Sequence, residues 1–204
     1  GVAYDYTEVT EANKAAAVSA SAICFGTLVQ RAPKTRETLY TLLDLAKDAF
    51  KIVDINLRKE CYSAETLDSS LVRANLLKLN HEESKIVGNL LSLPHDTIEI
   101  FAQSLMQKYQ PTIVLVTHGK EGVSCFSKGA PEIHVEGYEV TVADTVGSGD
   151  NFTAGFLHKW LLGEDLESCS RFANRIGALA ASKQGGMPEI LPHEIESMPE
   201  AKAA

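Results

Sequence analysis

Short apolar runs alternate with longer helical patterns over the first 116 residues of the sequence. Runs of this length and composition are typical of strands that are buried on both faces of a sheet. They occupy residues 22–25, 51–55, 76–79 and 112–116, and helical patterns cover about 35–50, 82–91 and 96–109. The alternation predicts an α/β fold, in which helices flank a mainly parallel central sheet.

The pattern changes after residue 116. Gly119 and Gly122 bracket a predicted tight turn, and two short strands at 123–126 and 132–135 follow as an antiparallel extension. The last third is predicted to be helical, with one helix that Gly163 ends and a second helix at about 166–182. Because neither repeats nor an interdomain linker interrupt the sequence, residues 1–204 are predicted to belong to a single domain.

The charge balance limits the partners that such a chain can bind. Nineteen Lys and Arg residues stand against 27 Asp and Glu residues, which gives a net charge of -8. An acidic chain without a basic stripe is not expected to bind nucleic acid or an anionic membrane surface. A polyanionic ligand would therefore have to be bound locally, by a few basic groups, backbone N–H groups and a metal ion.

The cysteines and the apolar runs predict a reduced, cytoplasmic protein. The four cysteines lie far apart and form no CxxC pair, which argues against a disulfide framework or a zinc site. They are Cys24, Cys61, Cys125 and Cys169. The longest apolar runs are too short to span a bilayer, and residues 1–14 lack the apolar core of a signal peptide.

One segment, Asp144-Thr-Val-Gly-Ser-Gly-Asp150, directly precedes an amphipathic helical pattern. Glycines can turn several N–H groups toward one point, and the start of a helix favours an anion there. The carboxylate of Asp150 could accept a proton from an attacking hydroxyl. Taken alone, however, the segment is more simply interpreted as a tight turn in which Asp150 caps a helix. Two other glycine-rich motifs do not fit the sequence. It contains no P-loop motif, and as a dinucleotide-binding motif the segment would lack the third glycine.

A resemblance strengthens the functional interpretation. Residues 144–157 closely resemble the C-terminal signature of the ribokinase/PfkB carbohydrate kinase family, D-T-x-G-A-G-D-x-F-x-x-G, with Ser148 where alanine is usual. The resemblance implies that Asp150 is the catalytic base and that the backbone of Gly147, Ser148 and Gly149 forms an anion hole for the transferred phosphate. It also implies a monovalent-cation loop, suited to K⁺, which would involve Asp144 and backbone carbonyls of Ala180, Lys183 and Gly185.

Two further segments resemble nucleotide-binding motifs of the same family. Asn80-x-x-Glu83 is similar to its NxxE motif, whose acid organises hydrated Mg²⁺ beside the ATP phosphates. Without the resemblance, Asn80 is an N-cap and the acids suit the first turn of a helix. Thr117-x-Gly119-x-x-Gly122 resembles the family's T-x-G-x-x-G loop, in which the Thr117 hydroxyl and the Gly119 backbone would approach the phosphates.

Other polar residues support a ligand site with less specificity. Asp54-x-Asn56-Leu-Arg58 is similar to a stretch of fructokinase-like members that lies near substrate and phosphates, although alone it is a solvated loop with an Asp–Arg pair. Asn174 either flanks adenine, as family analogues do, or is a buried polar residue of its helix. Surface positions are expected for the histidines, including His118 and His134. The loops at Asn56, Asn80 and Thr117 all follow strand ends, where open parallel sheets bind ligands.

The resemblance implies a ribokinase-like three-layer sandwich of which this chain is the C-terminal portion. The family's N-terminal part, with its lid and most sugar contacts, has no counterpart in the sequence. The implied activity is the phosphorylation of a sugar hydroxyl by ATP and Mg²⁺, with a fructose-like sugar as the first choice and a homodimer as a further option for the full-length protein. Two alternatives remain: a nucleoside or vitamin kinase of the same fold, and a non-catalytic remnant that binds nucleotide.

Overall fold

The computed structural model describes residues 1–59 and 61–199. Its six-stranded sheet has the order β1-β2-β3-β4-β5-β6. The strands are β1 (Ala22–Phe25), β2 (Phe50–Asp54), β3 (Leu76–Asn80), β4 (Ile113–Thr117), β5 (Val123–Ser127) and β6 (Ile133–Val135). β2 pairs in parallel with β1 and with β3, whereas β5 and β6 are antiparallel. The predicted mixture of parallel strands and an antiparallel extension is therefore confirmed.

Helices connect and flank these strands. They are α1 (Glu11–Ser19), α2 (Pro33–Leu45), α3 (Ala64–Leu71), α4 (His81–Leu91), α5 (Ile98–Tyr109), α6 (Ser148–Leu161), α7 (Leu166–Ala181) and α8 (Pro192–Ser197). Short 3₁₀ turns occur at Ala3–Tyr6, Leu28–Arg31 and Gly119–Glu121. Among the residues that the structure describes, no helix combines the length and the apolar character that crossing a membrane requires.

The chain divides into two compact units. Unit 1 comprises Gly1–Val116 and Phe126–Ala130, and unit 2 comprises Thr117–Cys125 and the chain from Pro131 onward. The single domain expected from the sequence remains a prediction, and its last residues, 200–204, lie outside the described part of the chain.

The core of unit 1 explains why the first strands were visible in the sequence. Ile52 and Val53 of β2 and Leu77 and Leu79 of β3 are completely buried. Consecutive buried residues point to opposite faces of a strand, so both faces of the sheet are covered here. Phe101 of α5 is also completely buried and belongs to the same apolar core.

The predicted extent of α2 was wrong at its C-terminal end. The sequence pattern continued the helix to residue 50, but α2 ends at Leu45 and Phe50 already belongs to β2. Ala46 leaves helical geometry with ψ of 63°, and the Phe50 N–H donates to the carbonyl of Ser21 at 2.9 Å. Buried Ala46 continued the apolar spacing of the helix, so the pattern alone could not locate this end.

Unit 2 is organised around the packing of α6 against α7. Gly155 of α6 faces Ala173 and Ile176 of α7, and a Cβ at position 155 would come within 3.2–3.3 Å of them. Gly177 of α7 likewise lies against Ser148 and Phe152. The small residues thus allow the two helices to approach closely, and this approach fixes the start of α6 relative to α7.

Candidate functional site

Unit 2 contains a cavity of about 300 Å³, a volume at the lower end of the range for ligand sites. Six residues predicted from the sequence line it, namely Thr117, Gly119, Gly122, Ser148, Gly149 and Asn174. Apolar groups of Val140, Val142, Phe152, Ala178 and Ala181 complete much of the wall. One side is therefore suited to a flat apolar group, and another side is formed by glycine-rich backbone.

Gly147 makes the sharp turn that starts α6. It is the N-cap residue with φ of 79°, a left-handed conformation that favours glycine. A Cβ at this position would lie 2.0 Å from the carbonyl oxygen of Gly186. Asn151 reinforces the turn, because its side-chain amide donates to the carbonyls of Gly147 and Gly186 at 2.8 and 3.1 Å. Position 147 therefore requires glycine for its conformation and for the space.

Ser148 and Gly149 form the first turn of α6. The first N–H groups of a helix have no intrahelical acceptor, which makes this turn suitable for an anion. The Ser148 hydroxyl donates to the Gly177 carbonyl at 2.9 Å, and its N–H donates to the Thr145 carbonyl at 3.3 Å. The side chain of Ser148 thus ties α6 to α7, and its N–H already makes a long bond within the turn, which a ligand would have to share or replace.

Asp150 lies in the first turn of α6 and is exposed. Within residues 1–59 and 61–199, its carboxylate accepts no hydrogen bond and forms no ion pair with a side chain. Asp144, the other acid of the signature segment, is held by two backbone donors, so Asp150 differs from it. A carboxylate of this kind is available to accept a proton from a bound hydroxyl.

Asp144 joins the signature segment to the chain that follows α7. Its two carboxylate oxygens accept from the N–H groups of Val146 and Gly185 at 3.0 and 3.1 Å. These two backbone bonds, with that from Val146 the stronger, lower the pKa of Asp144 below its usual value. The carbonyl of Ala180 accepts from the Lys183 N–H at 3.1 Å within the same segment. The four residues predicted for a monovalent-cation loop are therefore neighbours in the structure.

The loop at 117–122, here called the glycine loop, depends on its two glycines. Gly119 and Gly122 have φ of 62° and 100°. A Cβ on Gly122 would lie 2.0 Å from the Val135 carbonyl oxygen, whereas a Cβ on Gly119 would meet nothing within 4 Å. The backbone of the loop thus packs directly on the chain after β6 and forms part of the cavity wall.

Asn174 holds the same chain segment from the other side. Its amide nitrogen donates to the carbonyls of Val135 and Glu136 at 3.0 and 2.9 Å, and only 8% of the residue is exposed. Since an amide nitrogen has two hydrogens, both are used, and only the amide oxygen remains for a ligand. The structure therefore supports the buried structural role that the sequence left open, while Asn174 also lines the cavity.

Glu83 and Asn80 form a reciprocal cap at the start of α4 in unit 1. Asn80 Oδ1 accepts from the Glu83 N–H, and Glu83 Oε2 accepts from the Asn80 N–H, both at 2.9 Å. Glu83 Oε1 accepts from the Leu57 N–H at 2.7 Å, so the carboxylate also holds the loop after β2. Only 7% of Glu83 is exposed. The capping interpretation is confirmed, and each carboxylate oxygen keeps a second lone pair.

Asp54 is paired with a residue that sequence reasoning missed. Lys78 Nζ lies 2.7 Å from Asp54 Oδ2, and both residues are buried. The Asp–Arg pair considered for this loop is therefore not the pair that forms, because Arg58 is exposed further along the chain. A lysine in the middle of an otherwise apolar strand was the available signal, since lysine is rarely buried without a partner.

Asn56 shows where the loop after β2 turns. It has φ of 37°, which is uncommon for a residue other than glycine. Glu83 thus joins the start of α4 to the loop after β2 through the Leu57 N–H, and Asp54 joins β2 to β3 through Lys78. Among the described residues, no group of three His, Cys, Asp or Glu side chains could hold a metal ion directly.

An α/β fold with a glycine-lined cavity at the start of a helix is typical of enzymes that bind phosphate-containing ligands. More particularly, the chain belongs to the pfkB family of carbohydrate kinases, whose family model matches residues 2–193. The family membership predicted from the signature segment is therefore confirmed.

Individual relatives agree with this membership. The fructokinase of Klebsiella pneumoniae is 31% identical over 176 residues, which cover 78% of this chain and 54% of that protein. The ribokinase of Bacillus subtilis is 40% identical over 91 residues, which cover 43% of this chain and 30% of that protein. The chain thus spans about half, or less, of the length of these relatives.

A solved structure agrees with the fold. The fructokinase of Xylella fastidiosa, determined with bound ATP, superposes with a TM-score of 0.78 at 24% identity, over 90% of this chain and 62% of that one. This similarity confirms the predicted ribokinase-like fold.

Proposed function

We propose that the chain carries the nucleotide side of an ATP-dependent sugar kinase that acts in the cytoplasm. One observation carries the proposal: a single cavity brings the glycine loop together with the first turn of α6, and the accessible carboxylate of Asp150 follows in that turn. The cavity offers apolar surface for a base and backbone N–H groups for phosphates. The activity of the pfkB family supplies the class of reaction.

In the proposed reaction, Asp150 accepts the proton of the substrate hydroxyl as its oxygen attacks the γ-phosphorus of ATP. A new P–O bond forms to the sugar, and the bond to the departing ADP breaks. The backbone at Gly147, Ser148 and Gly149 stabilises charge on the transferred group, because the start of α6 carries partial positive charge. Base catalysis of this kind contributes about 10²–10⁴-fold to a rate.

Magnesium would supply charge neutralisation of the ATP phosphates when it is bound. Glu83 fits a role through water, because its oxygens accept from two N–H groups and keep further lone pairs. Asn80 would hold Glu83 in place as its capping partner. We also propose that Asp144, Ala180, Lys183 and Gly185 form a monovalent-cation loop that supports the turn before α6.

A fructose-like sugar is the first substrate to test. Asn56 and Arg58 follow the end of β2, and Asp54 would fix this loop through its ion pair with Lys78 rather than by touching the sugar. The relatives include a fructokinase and a ribokinase, so ribose is the next candidate. A homodimer of the full-length protein is a further part of the proposal.

The test is the transfer of the terminal phosphate of ATP to a panel of acceptors. We expect a sugar phosphate with fructose or ribose. A product only with nucleosides or vitamin alcohols would support the alternative kinase of the same fold. Saturable binding of Mg·ATP without a product from any acceptor would support a non-catalytic nucleotide-binding remnant. If Mg·ATP did not bind at all, the proposed function would be wrong.

A further inference from the structure

Two histidines and a buried serine of unit 2 form a hydrogen-bonded chain behind the glycine loop. Ser124 of β5 lies directly opposite His134 of β6 in the antiparallel pair. Its hydroxyl oxygen is 3.0 Å from His118 Nε2 and 3.4 Å from His134 Nδ1. Only 4% of Ser124 is exposed, so this hydroxyl lies in the interior between the two imidazoles. We call these three residues the histidine–serine brace.

The partners of the brace fix the direction of its hydrogen bonds. His134 Nε2 lies 3.0 Å from the Glu121 carbonyl oxygen, which can only accept, so this nitrogen carries the hydrogen. In a neutral His134, Nδ1 then accepts from the Ser124 hydroxyl. The Ser124 oxygen in turn accepts from His118 Nε2–H. Each of these three contacts therefore joins a donor to an acceptor.

Both ends of the brace are attached to the glycine loop. At one end, His118 is a loop residue whose own N–H donates to the Gly122 carbonyl at 2.8 Å. At the other end, His134 holds the Glu121 carbonyl from β6. The loop in between lines the cavity through Gly119, Lys120 and Gly122. Gly122 and Gly137 make the contact tight, because a Cβ on either would lie within 2.2 Å of backbone oxygen.

From this geometry we infer that Ser124 and His134 are positioning residues for the phosphates of the nucleotide. The inference rests on the proposed function, since it takes the cavity as the nucleotide site. Glycine-rich backbone is free to rearrange, and the brace holds it in one conformation before a ligand arrives. Preorganised N–H donors lose less free energy on binding than donors that must first be ordered. The brace thereby increases affinity for the phosphates, while it does not touch them.

The brace is expected to affect the binding of the phosphates of ATP but not the binding of its base. The apolar wall of the cavity comes from residues such as Val140, Phe152 and Ala178, and the hydrogen bonds of the brace hold the glycine loop instead. Loss of the brace should therefore weaken the binding of Mg·ATP and leave the binding of adenosine unchanged. General damage to unit 2 would instead weaken both ligands together, so the ratio of the two affinities reports on positioning alone.

The experiment measures dissociation constants of Mg·ATP and adenosine by calorimetry for the wild-type chain and four variants. Ser124→Ala and His134→Ala should weaken Mg·ATP about three- to tenfold, the effect of one neutral hydrogen bond. His134→Gln should recover most of the affinity, because its amide can donate to the Glu121 carbonyl in place of Nε2. His158→Ala, which replaces a histidine of α6 outside the brace, should change neither constant.

Three results would overturn the inference. Unchanged Mg·ATP affinity in both alanine variants would show that the brace does not position the phosphate-binding loop, and it would leave the proposed function intact. An equal loss for Mg·ATP and adenosine would make the brace merely structural. Absence of Mg·ATP binding to the wild-type chain would overturn both the brace and the proposed function. Thermal melting identifies any variant that does not fold. If Ser124→Ala does not fold, the Mg·ATP affinities of His134→Ala and His134→Gln test the inference by themselves.

Discussion

The two units form their candidate ligand-binding regions by different means. In unit 1, charged side chains are buried and held by specific partners, as the pair of Asp54 with Lys78 and the capping of Asn80 by Glu83 demonstrate. In unit 2, glycine backbone shapes the cavity, and the carboxylate of Asp150 is exposed. The difference separates two tasks: unit 1 fixes charge in place, whereas unit 2 leaves space and an accessible base.

The largest effect is expected from the buried ion pair of unit 1. Lys78→Met removes one partner and leaves the Asp54 carboxylate buried without its counter-charge. Removing one member of a buried pair costs about 3–5 kcal/mol. We expect a loss of stability of that size in urea unfolding, with the loop after β2 affected most because Asp54 ends that strand.

Two further variants test the cause. The double variant Lys78→Met with Asp54→Asn should recover a large part of the loss, since no unpaired charge then remains. Lys85→Met breaks the exposed pair with Glu82 and should cost less than about 1 kcal/mol. Equal losses for Lys78→Met and Lys85→Met would mean that burial of charge does not distinguish unit 1.

The next largest effect should come from the glycine backbone of unit 2. Gly147→Ala forces a side chain into a left-handed conformation and against the Gly186 carbonyl. The conformation alone costs about 1–2 kcal/mol, and displacement of the Gly186 segment adds to it. We expect a lower melting temperature and a loss of Mg·ATP binding in calorimetry.

Gly163→Ala is the matched control for this variant. Gly163 has φ of 82° after α6, but a Cβ there would meet nothing within 4 Å. It should show the conformational cost alone and retain Mg·ATP binding. If both alanine variants bound Mg·ATP equally well, the close approach of residues 147 and 186 would have no role in the site.

A smaller effect is expected at the reciprocal cap of α4. Glu83→Gln keeps one oxygen acceptor and places an amide nitrogen against a backbone N–H. Hydrogen bonds to charged groups contribute about 1.5–3 kcal/mol, so we expect a loss in that range in urea unfolding. Glu82→Gln at an exposed neighbouring position breaks only the surface pair with Lys85 and should cost less than about 1 kcal/mol. If Glu83→Gln lost no more stability than Glu82→Gln, the backbone hydrogen bonds of the Glu83 carboxylate would not stabilise the fold.

The smallest perturbation is chemical labelling of the thiols, which leaves the fold intact. Burial raises the pKa of Cys125 to about 12 and that of Cys169 to about 11. Because the thiolate is the reactive form, both thiols of unit 2 should remain unlabelled at about pH 8, whereas exposed Cys24 should react first. Mass spectrometry after maleimide treatment measures this order, and labelling in denaturant should reach every thiol. Rapid labelling of Cys125 in the native chain would show that the interior of unit 2 is open to solvent.

Helices and strands were predicted best where the apolar residues follow a single spacing, either that of a buried strand or that of a helix. Strand β3 was recognised because a short, mainly apolar run is buried on both faces, and α7 because its anchors repeat at helical spacing. The end of α2 was wrong because Ala46 and Phe50 continued the helical spacing while belonging to a turn and a strand. Helices α1 and α3 were missed, although Thr10 and Ser63 cap them, because each is short and buries few large apolar residues: α1 buries only Ala17, and half of the buried residues of α3 are polar.

The candidate site shows a similar limit. Gly149 of the signature segment and the two glycines of the glycine loop were predicted together, and the structure brings them to one cavity. Lys78, Ser124 and His134 were not predicted, because their roles depend on partners in neighbouring strands. A single sequence contains their identities without the strand register that pairs them. Residue types with a fixed local geometry are thus predictable, whereas cross-strand partners require the fold.

The central claim is that Asp150 accepts the proton of the substrate hydroxyl in phosphoryl transfer. Single-turnover transfer from Mg·ATP to the best sugar acceptor, compared between wild type and Asp150→Asn, tests it most directly. We predict that the rate falls by about 10²–10⁴-fold, because the variant loses the base and keeps its shape. The dissociation constant of Mg·ATP should stay within about threefold, since Asp150 is not part of the nucleotide wall. A transfer rate close to that of wild type would contradict the account.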